Sequence, residues 1–251
     1  MNPPHIAPIA YRSDNYAYAV ILQNRAVIID PGQAAPIRFF LRERTLSLSA
    51  ILLTHFHGDH AGGTKELQNE CNCPVYGADD HRVKADRPVA DGQDFAIDGV
   101  HIRAIAVAGH TRSDFAYAVP EANAVFTGDA LFVAGCGRLF ECGPEQMFAS
   151  LMKMMSLDDA TRIYCGHEYT EENLAFATMV EPDNPRITQK LANVRELRSK
   201  AIPSVPSTVA DEKATNPFVR VHQKTIRRRL DMEDASDIAV FAELRRRKDR
   251  F

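Results

Sequence analysis

The 251-residue chain contains no run of eighteen apolar residues, which excludes a membrane-spanning helix of ordinary length. Its opening, MNPPHIAPIAYRSDNY, lacks a basic segment followed by an apolar stretch. No secretory signal is therefore expected, and a cytoplasmic location is. Net charge is small: 30 Lys and Arg against 33 Asp and Glu give −3 at pH 7. A chain so balanced has no bulk attraction for nucleic acid or for a membrane surface, although the final LRRRKDRF is a local basic patch. Cysteines are few. Five, odd in number and irregularly spaced, point to reduced thiols rather than a disulfide framework. Cys71 and Cys73 form a C-x-C pair, but no second pair follows at zinc-finger spacing, so no structural zinc is expected there.

Hydrophobic residues make up 45% of the chain, enough for a sizeable core. Short β-branched runs recur through the first two-thirds, among them YAYAVIL, AVIID, SAILLT, CPVYG, VHIRAIAV, NAVFTG and RIYCG. Turn signals such as DPG at Asp30–Gly32 and DG at Asp98–Gly99 separate them. Helical patterns interrupt the strands at APIRFFLRERTL and PEQMFASLMKMMSL. In the second, Met147, Phe148, Leu151, Met152 and Met155 share one face, with Pro144 in the first turn; methionine's role as gap-filler makes that stripe core rather than binding surface. After Tyr169 the chain becomes polar and helical, with IPSVPST at 202–208 as an extended connector. The expected fold class is α/β: a strand-rich domain over residues 1–168, then a smaller helical domain over 169–251.

ILLTHFHGDHAGG, residues 51–63, places three histidines and an aspartate within six positions at the end of a buried strand. In extended backbone the spacing of His55 and His57 puts both side chains on one side. Gly58 allows a turn, and Asp59 and His60 follow as a helix begins. A lone histidine is ordinarily a satisfied core or surface residue, and Asp59 alone would serve as a helix cap. Three imidazoles and a carboxylate on one turn instead suit a cation that takes neutral imidazole and carboxylate ligands. Three more candidates directly follow apolar runs, each preceded by glycine: His110 after AIAVAG, Asp129 after AVFTG and His167 after IYCG. Sites in open α/β sheets form at the carboxyl ends of strands. Seven ligands exceed what one tetrahedral zinc takes and suit two metals sharing a carboxylate. His5, in an N-terminus read as mobile, and His81, His101 and His222 lack this context and are read as structural or exposed.

THFHGDH resembles the T-H-x-H-x-D-H signature of the metallo-β-lactamase-like hydrolases, and AGHT, GD at 128–129 and GH at 166–167 match the remaining ligand motifs in order. DNY at 14–16, LFVAGCGRLFE at 131–141, YCGHEYTEENLAFA at 164–177, VPST at 205–208, NPFVR at 216–220 and the final LRRRKD narrow the resemblance to the glyoxalase II, or hydroxyacylglutathione hydrolase, family. The resemblance implies an αββα sandwich followed by a small helical glutathione-binding domain. It implies one metal held by His55, His57 and His110, a second held by Asp59, His60 and His167, and Asp129 as bridge. Asp59 and Asp129 are thereby the catalytic carboxylates. Glutathione contacts fall on Arg138, Tyr169, Arg245 and Lys248. Three positions depart from the family pattern: Phe140, where some relatives carry a tyrosine; Cys142, a place often held by glycine; and Asp114, where related superfamily members carry a second histidine.

The activity implied is hydrolysis of S-D-lactoylglutathione and related thioesters at two divalent metals, zinc foremost, with iron or manganese also suited to the ligand set. A thiol leaving group with a pKa near 8.5 departs without a dedicated acid. The expected partner is the small-molecule thioester, with no nucleic acid, no membrane and a monomeric state. Competing readings are a mononuclear-iron glutathione persulfide dioxygenase, a metal-dependent nuclease, and a scaffold with a structural metal. The extended helical domain argues against the first and the acidic balance against the second. An open seven-ligand site argues against the third, since structural zinc sites close with four.

Overall fold

Strands buried on both faces read as continuous apolar runs, and those bordered by helical crossovers pair in parallel. The computed structural model, which describes residues 3–251, follows that rule; Met1 and Asn2, the start of the expected first domain, lie outside the described residues. Two compact units divide the chain. The first runs to Ala106 and resumes over Ser113–Gly128; the second comprises Val107–Arg112 and Asp129–Phe251.

In the first unit, β1 (His5–Tyr11), β2 (Asn15–Leu22) and β3 (Arg25–Ile29) form an antiparallel meander. Helix α1 (Ala34–Glu43), which buries Ala34, Ile37 and Leu41, carries the chain over to β4 (Ser47–Leu52), parallel to β3. The one-turn α2 (Gly58–Ala61) and α3 (Thr64–Cys71) lead to β5 (Val75–Gly77) and β6 (Arg87–Pro88), both parallel additions. Ile28, Ile51 and Val75 on the parallel strands are wholly buried. Four further strands, β7 (Asp94–Ile97), β8 (Val100–Ala106), β9 (Phe115–Val119) and β10 (Ala124–Gly128), pair antiparallel in chain order. The two sets of strands meet through Tyr18 and Phe126, with ring centroids 5.3 Å apart, and through the buried Tyr117, whose hydroxyl donates to the Leu53 carbonyl at 2.9 Å.

The N-terminal stretch read as mobile is therefore β1, with His5 exposed and paired to Ile21. Its Pro8 fits because β1 is an edge strand, where one missing N–H breaks no ladder. The helix expected from His60 onward is split into α2 and α3 by Gly62 and Gly63.

The second unit begins with a hairpin of β11 (Leu131–Phe132) and β12 (Gly135–Cys136). Helix α4 (Pro144–Met155) follows; of the expected face it buries Met147, Leu151 and Met155, while Phe148, against Phe241, and Met152 are half-buried, and Met154, outside that face, is buried instead. After β13 (Arg162–Cys165) come α5 (Thr170–Val180) and α6 (Pro185–Ser199), the latter capped by Asn184 with proline in its first turn. The extended connector ends in β14 (Ser207–Thr208), which pairs antiparallel with β13. Helices α7 (Val209–Thr215), α8 (Lys224–Leu230) and α9 (Asp237–Lys248) complete the chain. Ala134, Leu174, Ala177, Ile187 and Val194 make an apolar cluster here. Beside it Glu212, wholly buried, accepts from Ala134 N (2.7 Å), Asn216 Nδ2 (2.9 Å), Lys190 Nζ (3.2 Å) and Ser207 Oγ (2.5 Å). A carboxylate so deep is tolerated because its oxygens are occupied. No helix among the described residues is long and apolar enough to cross a membrane.

Candidate metal centre

Four of the seven expected ligands lie in the first unit, at the carboxyl end of β4. The chain leaving that strand is stapled on both sides: Leu53 N donates to Tyr76 O at 2.9 Å, and Phe115 N to Thr54 O at 2.8 Å. This backbone delivers His55 and His57 to one side, with His55 Nε2 3.1 Å from His57 Nδ1. Two nitrogens ~2.0–2.1 Å from one tetrahedral ion lie roughly 3.3 Å apart, so the pair is spaced as ligands are.

What fixes these rings is Asp30, whose place in DPG signals only a turn. It is buried, sits in the left-handed region at φ 52°, and spends both carboxylate oxygens inside the protein. Oδ1 accepts from Thr54 N at 2.8 Å; Oδ2 accepts from Thr54 Oγ1 at 2.6 Å and faces His60 Nδ1 at 3.0 Å. A carboxylate oxygen accepts, so His60 Nδ1 is the donor, and in the neutral ring Nε2 is the lone pair. The same logic reaches His55. The single Thr54 hydrogen goes to Asp30, so at 3.0 Å His55 Nδ1 is the donor to Thr54 Oγ1, and its Nε2 too is a lone pair. Metal-binding histidines are characteristically oriented by such an outer partner. Asp30, His55 and His60 each offer an atom within 4.8 Å of the others, but the saturated oxygens of Asp30 make it the orienting member rather than a ligand.

Asp59 is held from two directions. Asn15 Nδ2 donates to its Oδ2 at 3.2 Å, and Tyr11 Oη donates to its backbone carbonyl at 2.6 Å. Burial, with the Asp30 carboxylate next, pushes the Tyr11 phenol far above its ordinary value, so it remains a donor. Two glycines are required by close approach. A Cβ on Gly32 would lie 1.9 Å from the Asp59 carbonyl oxygen, and one on Gly128, at φ 49°, would lie 2.3 Å from Thr54 Oγ1.

The other three expected ligands, His110, Asp129 and His167, lie in the second unit, all buried. His110 Nδ1 donates to the Arg138 carbonyl at 2.9 Å, which again leaves Nε2 as the lone pair. Asp129 Oδ2 is 3.6 Å from His110 Nε2 and 3.4 Å from His167 Nε2. These separations are long for hydrogen bonds and ordinary for ligands sharing ions. His167 stacks on Tyr169 with centroids 4.7 Å apart and planes 6° from parallel, and Phe132 stands edge-on to both.

Of the expected glutathione contacts, Arg138 is exposed and 3.9 Å from Asp249. Arg245 is buried: Nε and Nη2 hold Asp249 Oδ1 at 3.0 and 2.9 Å, Nη1 donates to Cys136 O at 2.8 Å, and the guanidinium lies 5.2 Å from the Phe218 centroid. Lys248 pairs with Glu172. Phe140 is exposed and edge-on to His110, Cys142 Sγ donates to Thr111 O at 3.5 Å, and Asp114 is buried in the first unit beside β9. His81, His101 and His222 are exposed, as expected. Asp30, Thr54, Asn15 and Tyr11 are the residues the sequence reading missed. Only DNY, a motif quoted without a role, hinted at Asn15.

Comparison with known proteins places the chain in context. Residues 11–167 match the family model for the metallo-beta-lactamase superfamily, and residues 168–251 match that for the hydroxyacylglutathione hydrolase C-terminus. A hydroxyacylglutathione hydrolase of Alkalilimnicola ehrlichii is 46% identical over 253 residues, spanning 97% of this chain and 98% of its own. One of Brucella anthropi is 43% identical over 245 residues, spanning 96% and 94%. Among solved structures, ETHE1 from Myxococcus xanthus shares the fold, with a TM-score of 0.70 and 23% identity over 96% of this chain and 90% of that one.

Proposed function

Because the chain belongs to the hydroxyacylglutathione hydrolase family of the metallo-beta-lactamase superfamily, we propose that it hydrolyses S-D-lactoylglutathione and related thioesters to a hydroxy acid and glutathione, the second step of methylglyoxal detoxification. The fold is the α/β metallo-beta-lactamase-like sandwich with a helical C-terminal segment. In this reading residues 1–168 form the catalytic domain and 169–251 the glutathione-binding one. His55, His57 and His110 hold one divalent ion, Asp59, His60 and His167 a second, and Asp129 bridges them. Zinc is the ion proposed, with a cytoplasmic monomer as the working state.

The observation that carries the reading is the set of anchored rings. His55, His60 and His110 each turn Nδ1 to an oxygen of the protein, so that in each neutral ring Nε2 is the nitrogen left to coordinate metal. Bound divalent ions would supply Lewis acidity toward the thioester carbonyl and bring the pKa of water from about 15.7 toward about 7.

The chain's own contribution is positional. Asn15 and Tyr11 hold Asp59 so that its carboxylate orients the attacking oxygen. Tyr169 and Phe132 give His167 an aromatic wall that limits its rotation. The leaving thiol has an ordinary pKa near 8.5, so no side chain need deliver a proton. Arg138, Tyr169, Arg245 and Lys248 are the proposed glutathione contacts. Arg245 is saturated by Asp249 and Cys136, so a substrate carboxylate would reach it by displacing Asp249. The persulfide dioxygenase alternative gains no support, since the ETHE1 likeness extends to fold alone.

The test is thiol release from lactoylglutathione, before and after chelation, with metals counted on the same sample. Two metals per chain, turnover, and its loss and return with metal are expected. Turnover that survives complete metal removal would sink the proposal, as would oxygen uptake with a glutathione persulfide in place of thioester cleavage.

A further inference from the structure

The second unit contains a cavity of about 540 Å³ that no residue assigned above lines. Its size falls in the range of small-molecule sites, about 300–1,000 Å³. Residues from the end of α5, the start of α6 and α8 line it as an open groove. Arg186, Arg228 and Arg229 line it, and among the described residues Arg228 and Arg229 make no ion pair or side-chain hydrogen bond. Arg186 is 3.8 Å from Asp211, a loose and largely exposed pair.

The carboxylates in the wall do not cancel this charge. Glu181, 6% exposed, is consumed: Arg220 Nε and Nη2 donate to it at 3.0 and 2.7 Å, with Asn184 Nδ2 and Thr225 Oγ1 each at 3.2 Å. That leaves three guanidiniums against the single exposed carboxylate of Asp183. The first amides of α6 are used as well: Arg186 N donates to Asn184 Oδ1 at 3.1 Å, and Ile187 N to Asn184 O at 3.2 Å. An anion here would be read by guanidiniums, whose planar forks match phosphate oxygens in pairs. Apolar surface from Val180, Pro182, Pro185 and Ala214 adjoins them, and a smaller cleft of about 250 Å³ shares Val180 and Arg229. The Glu181–Arg220 clamp and two prolines pre-set the walls, which lowers the ordering cost of binding.

We propose that this cavity binds a nucleotide-sized organic phosphate: a group with two or more negative charges gripped by Arg228 and Arg229, and an apolar body laid on the proline wall. A phosphate concentrates two charges on one tetrahedral centre, which two long guanidinium side chains lining the same groove can share; a dicarboxylate of the same charge spreads them apart.

The test uses the metal-loaded full-length protein, labelled with 15N and titrated with ADP, adenosine and succinate. ADP is expected to shift the amides of residues 180–186 and 225–229, with affinity falling about tenfold between 50 and 300 mM salt as screening grows. The R228E/R229E variant is expected to lose at least tenfold in ADP affinity while thioester hydrolysis is unchanged; R228A/R229A serves if charge reversal impairs folding. The proposal is overturned if about 10 mM ADP, enough to reveal millimolar binding, leaves those amides unmoved or shifts only the metal-centre residues. It is equally overturned if adenosine or succinate binds as well as ADP, or if the arginine variants bind ADP as the parent does.

Discussion

Asp30→Asn separates the orienting role of this carboxylate from every ligand. Asparagine tolerates the left-handed backbone at φ 52°, so the loop itself is not strained by the exchange. One amide oxygen can still accept from Thr54 N, as Oδ1 does at 2.8 Å. The other position becomes an NH2 facing two donors, the Thr54 hydroxyl and His60 Nδ1–H, now 2.6 and 3.0 Å away. Each lost hydrogen bond to the charged group is worth about 1.5–3 kcal/mol. His60 can escape the clash by moving its proton to Nε2, which removes the lone pair meant for metal. Loss of an outer partner of a ligating histidine typically costs 10–100-fold in metal affinity or activity, or about 1.4–2.7 kcal/mol at 1.36 kcal/mol per decade, in line with one such bond. The assay is metal content by mass spectrometry across a chelator-buffered series, with kcat/KM on the same samples and circular dichroism to establish folding. A folded Asp30→Asn protein that retains metal affinity and kcat/KM within threefold of the parent would refute the tautomer reasoning.

Three further expectations are open to direct measurement. Arg245→Ala should lower Tm by several degrees, having lost charged hydrogen bonds worth about 1.5–3 kcal/mol, whereas Arg138→Ala, exposed and loosely paired, should raise KM without moving Tm; equal Tm losses in both would contradict the burial argument. Burial acts to raise the Glu181 carboxyl, but Arg220, Asn184 and Thr225 outweigh it and hold the pKa below 4.5. A depressed folded pKa gives stability that is present above about pH 4.5 and lost as pH falls through the lowered value, so the urea-midpoint gap between the parent and Arg220→Gln should be wide at pH 5.5 and shrink by pH 3. A gap that stays constant would count against the linkage. Finally, burial pushes the Cys73 thiol up to about 11 and raises Cys71 as well, which disfavours thiolate ligation at neutral pH; Cys71→Ser/Cys73→Ser should leave the metal count per chain unchanged.

The candidate metal ligands are legible in the sequence as candidates because their signal is local. THFHGDH packs four of them into seven residues, and each of the other three follows an apolar strand and a glycine. The α/β class was legible for a similar reason, since buried parallel strands are apolar throughout, and the helix expected over residues 144–157 starts at Pro144 and ends two residues early, at Met155. Asp30 was not legible. In DPG it carries a turn signal, and what gives it a second role is the lateral pairing of β3 with β4, which sets residue 30 beside residue 54. Asn15 and Tyr11 were hidden in the same way, opposite each other in a hairpin whose first strand contains a proline that spoils its strand signal. The burial of Arg245 was masked by its neighbours: Arg246 is exposed and Arg247 partly so, and a run of basic residues reads as a solvated face.

The direction of the hydrogen bonds around Thr54 has a consequence for chemistry. Two imidazoles lean, one directly and one through a hydroxyl, on a single buried carboxylate, so both are oriented by the same atom. The orientation of both candidate ligand rings is thus governed from one remote position, and Gly128 protects it by leaving Thr54 the room that a Cβ 2.3 Å from its hydroxyl would take. Proteins that keep every coordinating residue can therefore drift in which ion they favour by altering this one relay.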